Sequence, residues 1–218
     1  MRIEFDRIHD IIRDRICLLQ YRPGVIIREG ELALEFSVSR TPIREILQKL
    51  KSAGLVEVHN GVGTIVSKRT LDEIKQIYQI RIRLAVLIGD LTPNPCLPED
   101  IATLEALLER ARAMVENFDA REYWRIDHEA HFVISRLIGN TPLNEMWSRY
   151  YFQIASHWYQ VIEAEPLDVS KSLVRELEDL YGAMTRNDVA AIGYIERNYI
   201  SYGYDRVLAI YGEKPSRQ

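Results

Sequence analysis

Apolar residues recur at helical spacing along most of this 218-residue chain, and one β-hairpin signal interrupts them. The hairpin signal has two apolar arms, Leu55–Val58 and Thr64–Val66, joined by a turn that contains Asn60, Gly61 and Gly63. The helical segments before the hairpin are short, and no strand pattern recurs after it. The chain therefore predicts a mainly α protein that carries one small hairpin.

The segments before the hairpin predict three helices, at residues 5–19, 31–36 and 41–52, and a short extended segment at residues 25–27. Only a few residues separate the second helix from the third. Two such helices form a helix-turn-helix, and a hairpin that follows them adds a wing, which together make a DNA-binding domain. We expect this winged helix-turn-helix to span residues 1–69.

The remainder of the chain, residues 70–218, predicts an all-α domain. Six segments in it place apolar residues three and four apart, at residues 70–91, 98–117, 119–138, 141–163, 167–187 and 188–211. Six helices of this length suit a bundle-like architecture. Thr141 and Asp188 are residue types that start a helix. The pair Gly139–Asn140 is a stop signal for the helix predicted at residues 119–138.

Charge is distributed unevenly between the two predicted domains. Residues 1–69 carry 12 Lys and Arg against 9 Asp and Glu, whereas the rest of the chain carries 16 against 23. Only the first domain has the positive balance that suits a polyanion such as DNA. The asymmetry agrees with a DNA-binding domain, although an ordinary solvated surface can have the same balance.

The composition also indicates the cellular compartment of the protein. Cys17 and Cys96 have neither the spacing of a metal site nor that of a disulfide framework. The N-terminal sequence lacks the apolar segment of a secretory signal, and no stretch approaches the roughly 20 apolar residues that a membrane span requires. We therefore expect a reduced, cytoplasmic protein with no membrane partner.

The side chains at the start of the third predicted helix have the chemistry that reads DNA. Arg40 and Arg44 can donate hydrogen bonds to guanine O6 and N7 or to phosphate oxygens. Ser39 and Thr41 can hold the DNA backbone through their hydroxyls and the N–H groups of the helix start. Many such motifs carry glycine at the turn position that Ser37 occupies, so this turn must form without the conformational freedom of glycine.

The run Val38–Glu45, continued by Leu47 and Leu50, resembles the winged helix of the GntR family of regulators. In that family, the arginines that match Arg40 and Arg44 contact operator bases and phosphates. The resemblance therefore implies that this helix is the recognition helix of a DNA-binding protein.

The same resemblance implies contacts outside the recognition helix. Glycines at the positions of Gly61 and Gly63 let the wing enter the minor groove. A family arginine early in the second helix is replaced here by Gly30, and nearby Arg28 is the candidate to make that contact instead.

The helical half, from about residue 72 to residue 211, resembles the FCD effector domain of the FadR subfamily. Its best local match contains Asp127 and His131, which lie four residues apart on one helix face. The FCD pattern adds two histidines from the last two helices, and the four side chains hold a divalent metal. At those two positions this chain has Leu177 and Tyr199, so half of the ligand set is missing.

The incomplete ligand set predicts no metal cofactor. Asp127 and His131 alone would bind a divalent ion weakly, and His157 on the intervening helix is the remaining candidate ligand. The pair could instead form a buried hydrogen bond or bind an effector. We expect a small organic effector, either an organic acid or an apolar metabolite, at a site formed by Arg81, Asp127, His131, Leu177 and Tyr199.

The GntR resemblance implies a homodimeric transcription regulator, usually a repressor, that binds an inverted repeat of operator DNA. Two alternatives stay open. The first is a DNA-binding dimer with no effector, and the second is an all-α enzyme that uses Asp127, His128 and His131 as an acid–base cluster. No nucleophile motif or phosphate-binding loop accompanies those three residues, which argues against the enzyme.

Overall fold

A computed structural model describes residues 2–59 and 61–212 of the chain. Asn60, in the predicted hairpin turn, lies outside the described residues. Cys17 is buried, Cys96 is partly buried, and both are free thiols. Within the described ranges, no helix combines the length and the apolar character that crossing a membrane demands.

The described chain divides into two compact units. The first runs to Thr70 and also includes Phe152–Ser156, and the second comprises Leu71–Tyr151 and the chain from His157. The helices and strands of the first unit are α1 (Arg2–Cys17), β1 (Ile26–Ile27), α2 (Glu29–Glu35), α3 (Arg40–Ser52), β2 (Val56–His59) and β3 (Gly63–Val66).

The strands of the first unit form an antiparallel sheet in the order β1–β3–β2. Strand β1 pairs with β3 through Ile26↔Ile65, and β2 pairs with the other edge of β3 through Val56↔Val66. Helices α2 and α3 precede the β2–β3 hairpin along the chain. This order confirms the predicted winged helix-turn-helix, with α2 beginning two residues earlier than the sequence pattern indicated.

The core of the first unit is built around α3. Buried side chains recur three and four apart along α3 and meet a similar stripe of α1; they are Ile43, Ile46, Leu47 and Leu50 of α3 and Ile8, Ile12 and Ile16 of α1. Because one face of α3 is committed to this core, Arg40, Thr41 and Arg44 on the remaining surface are exposed. The helical period that builds the core therefore also presents these polar side chains to solvent.

The turn between α2 and α3 uses an unfavourable backbone conformation. Ser37 has a φ of 54°, in the left-handed region that favours glycine. The N–H of Val38 donates a hydrogen bond of 3.0 Å to the carbonyl oxygen of Ala33, which closes the turn. The packing of α2 against α3 therefore holds a serine where glycine would be relaxed.

Replacing Ser37 by glycine is expected to raise the free energy of unfolding by about 0.5–1 kcal/mol. The change removes a left-handed penalty of roughly 1–2 kcal/mol, while the extra freedom of glycine in the unfolded chain takes back roughly 0.5–1 kcal/mol. Thermal unfolding of Ser37→Gly, with Ser52→Gly in the helical conformation as control, measures the difference. The Ser52→Gly control is expected to be destabilised. A Ser37→Gly variant that is destabilised as well would contradict this account.

The second unit is all-helical over the described residues, as predicted. Its helices are α4 (Leu71–Asp90), α5 (Pro98–Glu116), α6 (Ala120–Leu137), α7 (Thr141–Ala164), α8 (Pro166–Thr185) and α9 (Val189–Gly212). Asp188 accepts a hydrogen bond from the N–H of Ala191 at 2.9 Å, which confirms the start signal for α9. Asn140 was predicted to end α6, but its side chain accepts from the N–H of Leu143 at 3.0 Å and caps the start of α7.

Helices α4 and α9 approach each other closely because glycine stands at their contact. A Cβ at Gly89 would lie 2.4 Å from the Cα of Ala190, and a Cβ at Gly193 would lie 2.6 Å from the carbonyl oxygen of Ala85. Any side chain at either position would collide with backbone atoms. The two glycines therefore hold α4, which carries Arg81, against α9.

Candidate DNA-binding surface and effector site

The seven side chains or glycines expected to contact DNA are all exposed, namely Arg28, Ser39, Arg40, Thr41, Arg44, Gly61 and Gly63. Ser39 precedes α3 in an extended conformation, with φ −72° and ψ 167°, as its N-cap residue. Arg40 and Arg44 follow within the first two turns, four residues apart. The first two turns of α3 thus combine two guanidinium groups with the N–H groups that a helix start leaves free for an anion.

Arg44 is held in place by an acidic residue of α2. Its Nη2 lies 3.1 Å from Oε2 of Glu29, and its Nε donates to Oε1 of the same carboxylate at 3.4 Å. The two-point contact fixes the plane of the guanidinium, although its side chain remains 63% exposed. Arg28 makes a similar surface pair, in which Nη1 lies 3.0 Å from Oε1 of Glu31.

Arg40 lies against α2 at a position where the chain has no side chain. A Cβ built on Gly30 would lie 3.4 Å from Nη2 of Arg40, so the guanidinium covers the backbone of Gly30. Arg40 also borders a surface groove of about 510 Å³ that includes Arg28, Leu34 and Ser39. The guanidinium of Arg40 therefore lies beside the position where the family has an arginine.

The wing has the backbone expected from its glycines. Gly61 and Gly63 have φ values of 78° and 115°, both in the region that favours glycine. Val62, between them, is 54% exposed, and His59 at the end of β2 pairs with Glu57 at 3.2 Å on the surface. The wing therefore presents backbone and one apolar side chain, with no cation at the described part of its tip.

In the helical unit, three of the five predicted effector residues meet around Tyr151. The Tyr151 hydroxyl donates a hydrogen bond of 2.7 Å to Oδ2 of Asp127. The His131 ring stacks on the Tyr151 ring with centroids 3.9 Å apart, and Cζ of Arg81 lies 5.7 Å from that centroid. Arg81 and His131 are both buried. Helix α4 thus supplies a cation, and α6 supplies a carboxyl group and an imidazole, to one region around Tyr151 of α7.

The two remaining predicted residues behave differently. Leu177 is fully buried and contributes only an apolar surface. The Tyr199 hydroxyl donates to Oδ2 of Asp179 at 2.8 Å, and the side chain lines a surface groove of about 620 Å³ with Lys171 and Arg175. Tyr199 therefore lies at this surface groove, whereas Glu196, three residues before it, is buried; its assignment as an effector residue stays a prediction.

Two acidic side chains of the helical unit, Glu176 and Glu196, were absent from the sequence prediction. Glu196 is only 8% exposed, and burial raises its pKa to about 7 against the lowering effect of Arg81. Burial and the charges of Glu196 and Asp127 together raise the pKa of Glu176 well above its usual value. Burial likewise raises the pKa of Asp127, although its bond from Tyr151 opposes the shift. The signal for Glu196 was available, since Ile192 and Ile200 flank it at helical spacing on the buried face of α9.

The residues present do not fit the divalent-metal site that the FCD pattern implies. Among the described residues, no group of three or more His, Cys, Asp or Glu side chains could hold a metal ion. Leu177 has no donor atom, and the Tyr199 hydroxyl is engaged with Asp179. His157 does not replace them in this arrangement, because its ring packs against Tyr211 with centroids 5.5 Å apart.

Two protein-family models match the chain. The model described as bacterial regulatory proteins of the gntR family matches residues 5–66, and the FCD domain model matches residues 76–201. The first match covers α1 to β3, which include the helix-turn-helix and the wing. The second covers most of the helical unit, and it alone spans more than half of the chain.

Relatives and a solved structure give a consistent result. The gluconate operon transcriptional repressor of Bacillus licheniformis is 31% identical over 137 residues, which are 63% of this chain and 56% of that protein. An uncharacterized HTH-type transcriptional regulator of Streptomyces ambofaciens is 25% identical over 209 residues, 94% of this chain and 85% of that protein. The structure of Escherichia coli McbR/YncC matches with a TM-score of 0.78 and 19% identity, over 96% of this chain and 97% of that chain.

These matches differ in what they establish. The chain spans little more than half the length of curated relatives such as the Bacillus repressor. At 19% identity, the similarity to McbR/YncC establishes the fold. The two family-model matches establish the family.

Proposed function

Because the chain belongs to the GntR family of bacterial regulatory proteins and carries an FCD domain, we propose that it represses transcription by binding operator DNA under control of a small organic effector. The family consists of regulators, and the alternative of an all-α enzyme that uses Asp127 and His131 is therefore rejected. The observation that carries the proposal is the exposed face at the start of α3, which a regulatory family model matches.

In the proposed DNA complex, the first turns of α3 lie in the major groove. Arg40 and Arg44 donate to guanine edges or phosphates, and Ser39 and Thr41 hold the backbone through hydroxyl and N–H groups. Glu29 keeps the guanidinium of Arg44 oriented before DNA arrives. The wing approaches the minor groove with its glycine backbone, because no bulky side chain blocks Gly61 or Gly63.

The proposed effector site is the interior region around Tyr151. Arg81 supplies a buried cation there, and Asp127 and His131 supply polar groups on the facing helix. An effector that binds one conformation of the dimer better than another shifts the population between DNA-binding and released forms. An organic molecule with a carboxylate suits Arg81, because planar guanidinium and carboxylate groups pair through two hydrogen bonds.

We test the function by selecting fragments of genomic DNA with the purified full-length chain. The expected result is enrichment of sites with an inverted repeat, bound in a salt-dependent way because arginine contacts to phosphate release counterions. A metabolite of the pathway encoded by the genes beside those sites should then reduce binding. Uniform affinity for all fragments at physiological salt would contradict the proposal of a specific regulator.

We further propose that the protein is a homodimer that places two recognition helices on the two half-sites. One short recognition helix per chain contacts few base pairs, so two-fold symmetry is needed for a specific site. Sedimentation at micromolar concentration is expected to give the mass of two chains, with one dimer per operator. A monomer that protects an asymmetric site would contradict this expectation.

The effector response should not require a metal. Purified protein is expected to contain no stoichiometric Zn, Ni or Mn, and chelation should leave operator binding and thermal stability unchanged, because tight metal sites need several convergent ligands. Elemental analysis before and after treatment with a chelator measures both. One tightly held metal per chain, lost on His131→Ala but kept on His9→Ala, would contradict the proposal.

A further inference from the structure

A guanidinium group in the helical unit is buried with its Nε unpaired. Arg81 is 7% exposed, and its Nε is enclosed and has no hydrogen-bond partner. Its nearest neighbours are aromatic faces, with Cζ 5.8 Å from the ring centroid of Tyr78, 5.9 Å from Trp147 and 5.7 Å from Tyr151. Burying a charge is costly unless an opposite charge and hydrogen bonds compensate it. The unpaired Nε of Arg81 therefore marks a place where a hydrogen-bond acceptor is missing.

A second donor lies beside Arg81. The indole Nε1 of Trp147 is also enclosed without a partner, and Trp147 is 1% exposed. Buried polar groups are normally hydrogen-bonded, so two unpaired donors on neighbouring helices suggest a missing acceptor. A carboxylate has two oxygens and can accept from both groups.

Three acidic side chains surround the same cation. Asp127 on α6, Glu176 on α8 and Glu196 on α9 all feel the charge of Arg81 on α4, and they also influence one another. If all of them ionise, the cluster holds one positive and three negative charges. A low-dielectric interior strongly disfavours such an excess, in agreement with the raised pKa of each acid, and a further cation beside the three acids would allow them to ionise.

The unpaired donors and the need of the acids for a further cation together restrict which molecule can bind. A plain organic acid would satisfy Arg81 but add a negative charge to a cluster in which the pKa of every acid is already raised. A plain amine would balance the acids but leave the donors of Arg81 and Trp147 unpaired. A molecule with a carboxylate and an ammonium group satisfies both requirements.

Resting on the proposed function, we propose that the effector is a small α-amino acid bound as a zwitterion. Its carboxylate pairs with Arg81 and Trp147, and its ammonium group is bound by Glu196 with Asp127 and Glu176. The aromatic rings of Tyr78 and Tyr151 line the same region and can face the ammonium or an apolar side chain. Asp127 and Glu176 retain partial solvent-accessible surface, whereas Glu196 is buried.

The test uses the full-length protein and the twenty proteinogenic L-amino acids at pH 7. Thermal shift identifies those that bind, and calorimetry compares each of them with its deaminated acid and its decarboxylated amine. We expect at least one amino acid to bind, and each truncated analogue to bind about 100-fold more weakly, because each leaves a buried polar group unpaired. An analogue that binds as tightly as the amino acid, or no binding by any of the twenty, overturns the proposal.

Two variants assign the groups. Glu196→Gln should weaken amino-acid binding at least about 10-fold without weakening binding of the deaminated acid, whereas Arg81→Gln should have the opposite selectivity and spare the amine. Glu145→Gln, at an exposed site on α7, is the control and should change neither. A Glu196→Gln variant that binds the amino acid as wild type does also overturns the proposal. If a variant fails to fold, the proposal is tested by the wild-type protein alone, through the affinities of the amino acid, its deaminated acid and its decarboxylated amine.

The same measurements separate this proposal from the proposed function. Release of operator DNA by a plain organic acid, without any response to amino acids, would keep the regulator and overturn the zwitterion. Failure of the ligand-free chain to bind any DNA fragment specifically would instead contradict the regulator itself, whatever the amino-acid titrations show.

Discussion

Alanine at Arg40 or at Arg44 is expected to weaken binding to the cognate operator by about 1–3 kcal/mol, roughly 5- to 150-fold at fixed salt. Both side chains are exposed at the start of α3, where bidentate contacts to a guanine edge are within reach of a helix in the major groove. Their loss removes contacts to DNA and no contact of the core, since α3 packs through its opposite face. The fold should therefore be preserved in both variants.

The control removes a cation from the last turn of the same helix, far from its start. Lys49 packs over the Phe5 ring of α1, with Nζ 4.5 Å from the centroid. Lys49→Ala should therefore weaken operator binding much less than either arginine variant. Fluorescence anisotropy with the selected operator measures all three, and unchanged affinity in both arginine variants would contradict the assignment of the recognition helix.

Salt dependence distinguishes what each arginine contacts. A variant that loses a phosphate contact should bind all sequences more weakly and lower the slope of log K against log salt by about 1. A variant that loses a base contact should relax the preference at one position of the operator. Because Glu29 holds Arg44 at two points in the free protein, Arg44 is expected to be the base reader, and Glu29→Gln should reduce sequence preference more than total affinity.

Sequence patterns predicted the first unit well because its signals are local. The glycines of the wing, the three-and-four spacing of α3 and the short gap before it each act within a few residues. Ser37 departs from this agreement, and its φ of 54° follows from the demand of the turn, which overrides the preference of serine. Asn140 was assigned to the wrong helix because asparagine serves both as a C-terminal stop and as an N-cap.

The interior of the second unit was harder to predict, because sequence spacing fixes only relative angles on one helix. The 22-residue spacing from Leu177 to Tyr199 placed both at expected ligand positions but could not show which face of α9 turns inward. The structure turns Glu196 inward and leaves Tyr199 beside Asp179 at the surface. Glu196 lies on the otherwise apolar face of α9 that turns inward. The sequence contains this residue, but only its burial in the structure shows that the face is an interior one.

The helical unit of the ligand-free protein is expected to lose stability as pH rises from about 5 to 8. Burial raises the pKa of Glu196 from 4.5 to about 7, while Arg81 opposes the shift and Asp127 adds to it. Between these values the unfolded chain has lost a proton that the folded chain keeps, so the folded state is favoured at low pH and this advantage disappears as pH passes 7. The full shift corresponds to at most about 3 kcal/mol, and the raised pKa of Glu176 acts in the same direction.

Glutamine at residue 196 keeps the shape of the side chain and cannot ionise, so Glu196→Gln should flatten this pH dependence and exceed the wild type in stability at pH 8. All three tryptophans of the chain, Trp124, Trp147 and Trp158, lie in the helical unit, so urea unfolding followed by tryptophan fluorescence reports on that unit. The exposed Glu145→Gln variant should keep the wild-type pH dependence. If Glu196→Gln and wild type lose the same stability between pH 5 and pH 8, Glu196 ionises in the folded protein as it does in the unfolded chain, and the charge imbalance around Arg81 is not present.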